Sequence, residues 1–521
     1  MIERNNISKI ILKIFLFVPL IFYYGKRSYI AFDEGFYALQ ARWILEKGNW
    51  IIPLWWEEYV LDRTNGLQIL IAKSQEIFGK NHFAAYLPTT IAAILMLLIT
   101  YKLHEEFFGK DHAIVSPLIL STTYLWFDYS HLATQDLIYS CLVTIGVFSL
   151  VKIKKNKSNF YILLFGIWIG LAFMMKTFLV AVPLAALSPY LLTKRKLLFE
   201  KYFWIGLIIG FVPYLLWAYS INPYLEKNII FYLFEKFNFL SNKNDSTNPF
   251  YYYLWNIPLN FLPWSIFSII GLISNNLENK NKDKNRRLIL TYYPLILIII
   301  ISIFSTKTPY YPLQISSILS LNSYIGIKYL FSSRKYKSIV VLITSKLIPL
   351  LIFSLTLTYF IFFKSAFDFN TKENIFIFFG LISFAVAWSI IKSTSRLNEI
   401  FITLIIGPYL LTSFFLHSGL FTDRSRELRE TMEYLSSLDI LKNQIIKVDK
   451  RMTGIDKAQS KIIRIALLTP NLGDGIESIE KMNPSDLAWS TLSSKEPYET
   501  DSYEIIYDRK ILSPWKLIRK K

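Results

Sequence analysis

The sequence predicts an all-α polytopic membrane domain of about thirteen transmembrane helices, residues 1–416, and then a small C-terminal α/β domain outside the membrane, residues 417–521. Three observations predict it. Of 521 residues, 53% are hydrophobic and only 18% charged, where ordinary soluble domains carry about 25% charge. The apolar residues fall in long uninterrupted runs and mean hydropathy is +0.35, as membrane helices require. From about His417 the charge rises and the long runs stop. This composition excludes a disordered chain, a collagen-like chain and a typical cytosolic enzyme.

Taken in order, the spans are 8–25, 83–101, 113–127, 137–151, 160–175, 178–192, 203–220, 259–274, 288–304, 312–330, 339–362, 374–391 and 399–416. Helices are the natural spanning element, because lipid offers backbone groups no partner. Arg4 and Lys9 ahead of Ile10–Tyr24 imitate a signal peptide, but the many later spans make this a retained first helix.

The loops set the orientation. Lys152, Lys154, Lys155 and Lys157 form one basic loop, and Lys194, Arg195 and Lys196 another. Lys280, Lys282, Lys284, Arg286 and Arg287 form a third; Arg334, Lys335 and Lys337, then Lys392 and Arg396, complete the series. All share one side with the N-terminus, which the positive-inside rule makes cytoplasmic, and an odd span count puts the C-terminus outside. The net charge of +19 is therefore read as loop charge facing membrane lipids, with no nucleic-acid partner. The single cysteine, Cys141, allows no intramolecular disulfide and no cysteine-rich metal site.

The outer side is different. The first outer loop, about 26–82, carries Asp33, Glu34, Glu57, Glu58 and Asp62. Phe36, Leu39, Trp43 and Ile44, and later Leu67, Leu70, Ile71 and Ile77, recur at helical spacing, as in helices lying in the interface plane. The second outer loop, about 221–258, is rich in Tyr, Phe and Asn. In the C-terminal domain Glu427–Leu438 reads as a helix, and Gln444–Val448, Ile462–Leu468 and Tyr503–Tyr507 as strands, with Gly473 and Gly475 marking a turn.

Chemistry points to the outer loops. Asp33 followed by Glu34 is either an N-cap for the next helix or a carboxylate placed to take a proton or hold a metal. Asp62–Arg63 is either a solvated pair or a carboxylate and cation on the same cleft, Arg being matched to phosphate. Lys176 lies between two apolar runs; if these form a hairpin it sits on the outer side, against the charge bias, and phosphate is its natural partner. Lys307 and Tyr311, in Lys307-Thr308-Pro309-Tyr310-Tyr311-Pro312, repeat that pattern. Asp136 at the start of a span needs a partner, either His131 or one of these cations. Glu57, Glu58 and Glu235 read as mostly solvated. The five histidines show no zinc spacing, and no Gly-rich phosphate loop is present. With acids and lysines outside, a donor must arrive in the membrane.

In their order these pieces resemble a known family. Asp33-Glu34-Gly35-Phe36-Tyr37-Ala38-Leu39-Gln40-Ala41-Arg42, then Gly48-Asn49-Trp50-Ile51-Ile52-Pro53 and Asp62-Arg63, are similar to the first outer loop of bacterial aminoarabinose transferases and their protein-mannosyltransferase-like relatives, integral-membrane glycosyltransferases of the GT-C type. Gln135-Asp136-Leu137, Met175-Lys176-Thr177, Pro249 with Leu262-Pro263-Trp264-Ser265, and Lys307 with Tyr311 follow in the family's order. The resemblance covers about 10–330. It implies a polyprenyl-phosphate-linked sugar donor, inversion at the anomeric carbon, and a lipid (lipid A-like), protein or glycan acceptor on the outer face of the bacterial cytoplasmic membrane. It implies Asp33 and Asp62 as catalytic carboxylates and Arg63, Lys176, Lys307 and Tyr311 as phosphate ligands, with Glu34, Tyr37, Arg42 and Asp136 in support. Departures are Thr64 where the family has Pro, Thr177 where Gly is usual, and no histidine in Leu233-Phe234-Glu235-Lys236-Phe237. No cofactor is fixed by this reading; a divalent metal stays open, with Glu235 as the candidate in the histidine's place. The alternatives are an oligosaccharide polymerase or ligase with a diphosphate donor, and a lipid or solute transporter.

Overall fold

The computed structural model describes residues 17–21, 26–60, 63–153, 159–242, 248–278, 283–363, 371–438, 441, 444–453, 456–491 and 502–521. It is mostly helical, with a five-stranded sheet near the C-terminus. Among the described residues seven helices are long and apolar enough to cross a membrane, or eight if the bent pair Tyr252–Asn260 and Ser265–Leu277 is one span. The expected count of thirteen is not confirmed. Two departures have physical reasons. The run 113–127 divides into Val115–Ser121 and Tyr124–Ser130, where Thr122 and Thr123 turn their hydroxyls back onto carbonyls of the preceding helix. The run 312–330 becomes Ser316–Ser332, which buries Ser316, Ser317, Ser320, Asn322 and Ser323. A helix enclosed by protein can carry hydroxyls and amides that satisfy themselves on backbone carbonyls.

One continuous stretch, Asn159–Thr193, reverses direction. Its first half, Asn159–Lys176, packs antiparallel to the helix Gln135–Lys152: Phe148 meets Tyr161 and Gly146 meets Trp168. The second half, Ala181–Thr193, runs parallel to that helix, since the Tyr139 hydroxyl donates to the Leu179 carbonyl and Lys194 donates to that of Ile153. The reversal falls at Lys176–Val180, where Thr177 adopts a left-handed φ of 48°. The expected hairpin is therefore present, with Lys176 at its bend.

Asn159–Lys176 is also clasped by Lys201–Ile221. Gly166 and Gly170 on one face Gly206 and Gly210 on the other, and a Cβ on any of the four would stand 2.1–2.4 Å from the opposite backbone. Small residues four apart let helices in lipid touch backbone to backbone, where no hydrophobic drive favours contact.

The first outer loop forms two helices, Phe36–Lys47 and Gly66–Phe78, joined through a short hairpin, β1 (Leu54–Trp55) and β2 (Glu58–Tyr59). In the C-terminal region a helix, Arg426–Ser437, precedes β3 (Ile446–Asp449), β4 (Leu472–Ile476), β5 (Leu487–Ser490), β6 (Tyr503–Tyr507) and β7 (Lys516–Lys520). The order is β4-β3-β5-β7-β6, with β3 parallel to β4 and β5 and the other pairs antiparallel. Ile462–Leu468 is not a strand but the end of a helix, Asp456–Leu468. Ala458, Ile462, Ile465 and Ala466 are buried on it at helical spacing. Gly473 and Gly475 are not in a turn; they lie within β4. The core of this region is shared: Leu39, Trp43, Leu54 and Trp56 of the first loop pack with Leu428, Ile446, Trp489 and Trp515.

Candidate functional site

A cavity of about 250 Å³ opens where the first outer loop, the helix Gln135–Lys152 and the Lys176 bend meet the loop before Tyr311. Its walls include Asp33, Tyr37, Arg63, Asp136, Lys176 and Tyr311, so six of the residues singled out in the sequence converge. Thr64 and Thr177, two of the three departures from the family pattern, line it as well.

Asp33 sits on a π-turn, Ala31–Gly35, and holds φ 58° and ψ −81°, a sparsely populated conformation for a residue with a side chain. It caps no helix, because the N-cap of Phe36–Lys47 is Gly35 and no side chain bonds there. Its side chain opens into the cavity, yet the protein around it raises its carboxyl above the ordinary aspartate range. The Asp136 charge adds to the rise, and Lys176 and Arg63 oppose it.

Glu34, the next residue, is fully buried. Its carboxylate accepts N–H bonds from Ile30 at 2.8 Å and Ala133 at 2.9 Å, fastening the turn to the loop ahead of Gln135–Lys152. Burial pushes its pKa up to about 7 against those donors. It is an anchor and does not line the cavity.

Asp136 and Lys176 form an ion pair with side chains only 6% and 8% exposed. Lys176 Nζ also lies over the Tyr310 ring at 4.6 Å. His131 is not the Asp136 partner; its Nδ1 meets the Phe127 carbonyl and the Ser130 hydroxyl, and burial lowers its pKa to about 3. The Arg63 guanidinium lies 4.7 Å over Phe36 and 5.8 Å over Tyr37, which fixes its plane toward the cavity.

Three expectations change, and a fourth falls outside the described residues. Asp62 lies outside the described residues. Lys307 does not line the cavity; its Nζ donates to the Phe304 carbonyl at 2.8 Å and is spent on its own loop. Arg42 is not at the site, since its guanidinium donates to the carbonyls of Ala466, Thr469 and Pro470 at 2.7–2.9 Å. Glu57 is not merely solvated: it accepts the Gly475 N–H at 2.7 Å and pairs with Lys450 at 2.7 Å. Glu235 is exposed and off the cavity wall, whereas its neighbour Lys236 lines it. The sequence singled out no role for Lys236, although its outer-loop position beside Glu235 was the available signal.

The described residues do not fit a divalent cation. Of the two cavity carboxylates Asp136 is engaged by Lys176, and among the described residues no three His, Cys, Asp or Glu are placed to hold a metal.

The architecture also has known counterparts. The structure superposes on the crystal structure of ArnT from Cupriavidus metallidurans bound to undecaprenyl phosphate with a TM-score of 0.75, covering 98% of both chains at 13% identity. The chain has the fold of ArnT. Its apo form gives the same score. In sequence, the dolichyl-phosphate-mannose-protein mannosyltransferase family matches residues 62–218, a stretch holding Arg63, Asp136 and Lys176. The undecaprenyl phosphate-alpha-4-amino-4-deoxy-L-arabinose arabinosyl transferase of Edwardsiella ictaluri (strain 93-146) is 26% identical over 244 residues, 44% of each chain. That of Wigglesworthia glossinidia brevipalpis is 27% identical over 336 residues, 59% of this chain and 57% of the relative. The chain thus resembles the ArnT-type transferases, and it spans about half the length of these curated relatives in sequence.

Proposed function

We propose that the chain is an inverting glycosyltransferase of the bacterial inner membrane that takes a sugar from a polyprenyl phosphate and passes it to a lipid (lipid A-like), protein or glycan acceptor. The observation that carries this is the convergence of the Asp33 carboxylate with three cations, Arg63, Lys176 and Lys236, on one aromatic-walled cavity. Asp33 takes the proton of a hydroxyl acceptor, for which its raised pKa suits a base; toward an acceptor phosphate, already ionised, it serves as orienter. Asp62 is the second proposed catalytic carboxylate. Arg63, Lys176 and the Tyr311 hydroxyl stabilise the charge that gathers on the leaving polyprenyl phosphate, with Lys236 in place of Lys307.

A second, apolar groove of about 390 Å³ runs along the bent helix pair. Tyr253 at its edge bonds Thr308 in the loop that carries Tyr311. We assign it to the isoprenoid chain. The C-terminus, with residues 417–521 as a periplasmic domain, lies on the cavity side, and the N-terminus is cytoplasmic.

The test is transfer of radiolabel from undecaprenyl-phosphate sugars to native membrane extract by the purified protein. Asp33→Asn is expected to lower transfer by about 10²–10⁴-fold, the usual worth of a positioned base, while the variant still folds. Equal transfer by both proteins refutes the assignment.

A further inference from the structure

The turn that carries Asp33 is touched from behind by the C-terminal region. Ile463, fully buried on the helix Asp456–Leu468, sits against Gly35, and a Cβ at Gly35 would stand 2.7 Å from its Cγ2 and 2.5 Å from the Ile30 carbonyl oxygen. The Gly35 N–H bonds that same carbonyl at 3.0 Å. Arg42, about two turns further along the helix that follows, grips the carbonyls at the end of the Ile463 helix. The segment leading into the turn is held as well. Ser28 N–H donates to Thr422, Ser425 N–H donates to the Ser28 hydroxyl, and Arg464 donates to the Ser425 hydroxyl.

A strained backbone persists only where its surroundings over-determine it. Here Glu34 ties the turn to the membrane helices on one side, and the C-terminal helix presses on the other. None of Gly35, Arg42 or Ile463 lines the cavity. We infer that the helix Asp456–Leu468 is a backstop that sets the position of Asp33, with Ile463 and Arg42 as positioning residues. This rests on the base role proposed for Asp33. It gives the C-terminal region a part in the reaction without any contact with substrate. The acceptor hydroxyl must lose its proton to Asp33 as its oxygen bonds the anomeric carbon and the bond to phosphate breaks, so a small displacement of the carboxylate acts on turnover and not on donor binding.

The full-length protein is assayed with a panel of radiolabelled undecaprenyl-phosphate sugars. Ile463→Ala is expected to lower kcat by about 10–100-fold, the penalty of a misplaced catalytic group, with the donor KM within about twofold. Ile463→Val restores most of the loss. Gly35→Ala, which pushes on the same contact from the other side, repeats the kcat loss. Leu512→Ala, which opens the core packed by Ala458, Ile462 and Ile465 of the same helix and not by Ile463, keeps the wild-type kcat. Equal kcat losses for Ile463→Ala and Leu512→Ala, or a raised KM at unchanged kcat, overturn the inference. A folded wild-type protein inactive with every sugar overturns the glycosyltransferase reading, and the backstop falls with it.

Discussion

The cavity and the seam between the first outer loop and the C-terminal region are both built from charged side chains, but they finish those charges differently. In the seam, Arg42 is saturated by three backbone carbonyls and Glu46. Glu57 is held by a backbone N–H and Lys450. Arg429, 2% exposed, is met by both oxygens of Asp423 and by Glu433. In the cavity, Asp136 takes one of the three N–H donors an ammonium offers, ring faces hold Lys176 and Arg63, and Asp33 opens onto the space between them. Seam charges close on protein. In the cavity, Asp33 faces the open space and Lys176 keeps donors beyond the one that Asp136 takes.

The largest test of that contrast is the buried ion pair. Lys176→Met leaves Asp136 unpaired and is expected to cost about 3 kcal/mol or more, as single removals from buried pairs do, read as thermal unfolding in detergent. Lys176→Met with Asp136→Leu recovers most of the stability and none of the transfer. If the double variant is active, the pair is scaffold and the contrast fails.

Glu34 tests the anchor between the two regions. Its folded pKa is raised from 4.5 to about 7, so the folded state binds the proton more tightly than the unfolded chain. Its contribution to stability is whole below about pH 4.5 and is lost as pH rises through about 7. Glu34→Gln should flatten that part of the stability–pH curve. An unchanged slope would mean that another group carries it.

Arg42→Ala strips three carbonyls of a charged donor and is expected to cost about 2 kcal/mol. The loss should show first as faster protease cleavage in the C-terminal region, before the membrane helices respond. The smallest effect is expected at the bend. Thr177 holds φ 48°, and Thr177→Gly should stabilise by about 1 kcal/mol by relieving the left-handed strain. Destabilisation there would show that the Thr side chain contributes more than its backbone costs.

Much of the membrane part was legible, because its signal is local. Apolar runs located several of the long helices, such as Gln135–Lys152 and Lys201–Ile221, to within a few residues, and the order of short motifs brought Asp33, Tyr37, Arg63, Asp136, Lys176 and Tyr311 to one place. What escaped was decided at long range. Arg42 and Glu57 find their partners more than 390 residues away, and no spacing announces that. Ile462–Leu468 looks like a strand because it is a short apolar run rich in isoleucine, and only its continuation back to Asp456 shows the helical period. Lys236 stands beside an exposed acid in an aromatic stretch, and no spacing in the sequence turns it toward the cavity. Lys307 has the right residue type and loop, but its stem folds back onto Phe304.

The four glycines between Asn159–Lys176 and Lys201–Ile221 have a consequence for the cavity. Gly170 precedes Lys176 by six residues, roughly 9 Å along a helix rising about 1.5 Å per residue. A methyl group at Gly170 would wedge the two helices apart at their contact, and the helix would carry that tilt to its tip as a lever does. The width of the opening that Lys176 guards is thus gauged by the closeness of two bare backbones in the interior of the helix bundle, well below the rim where sugar and acceptor would meet.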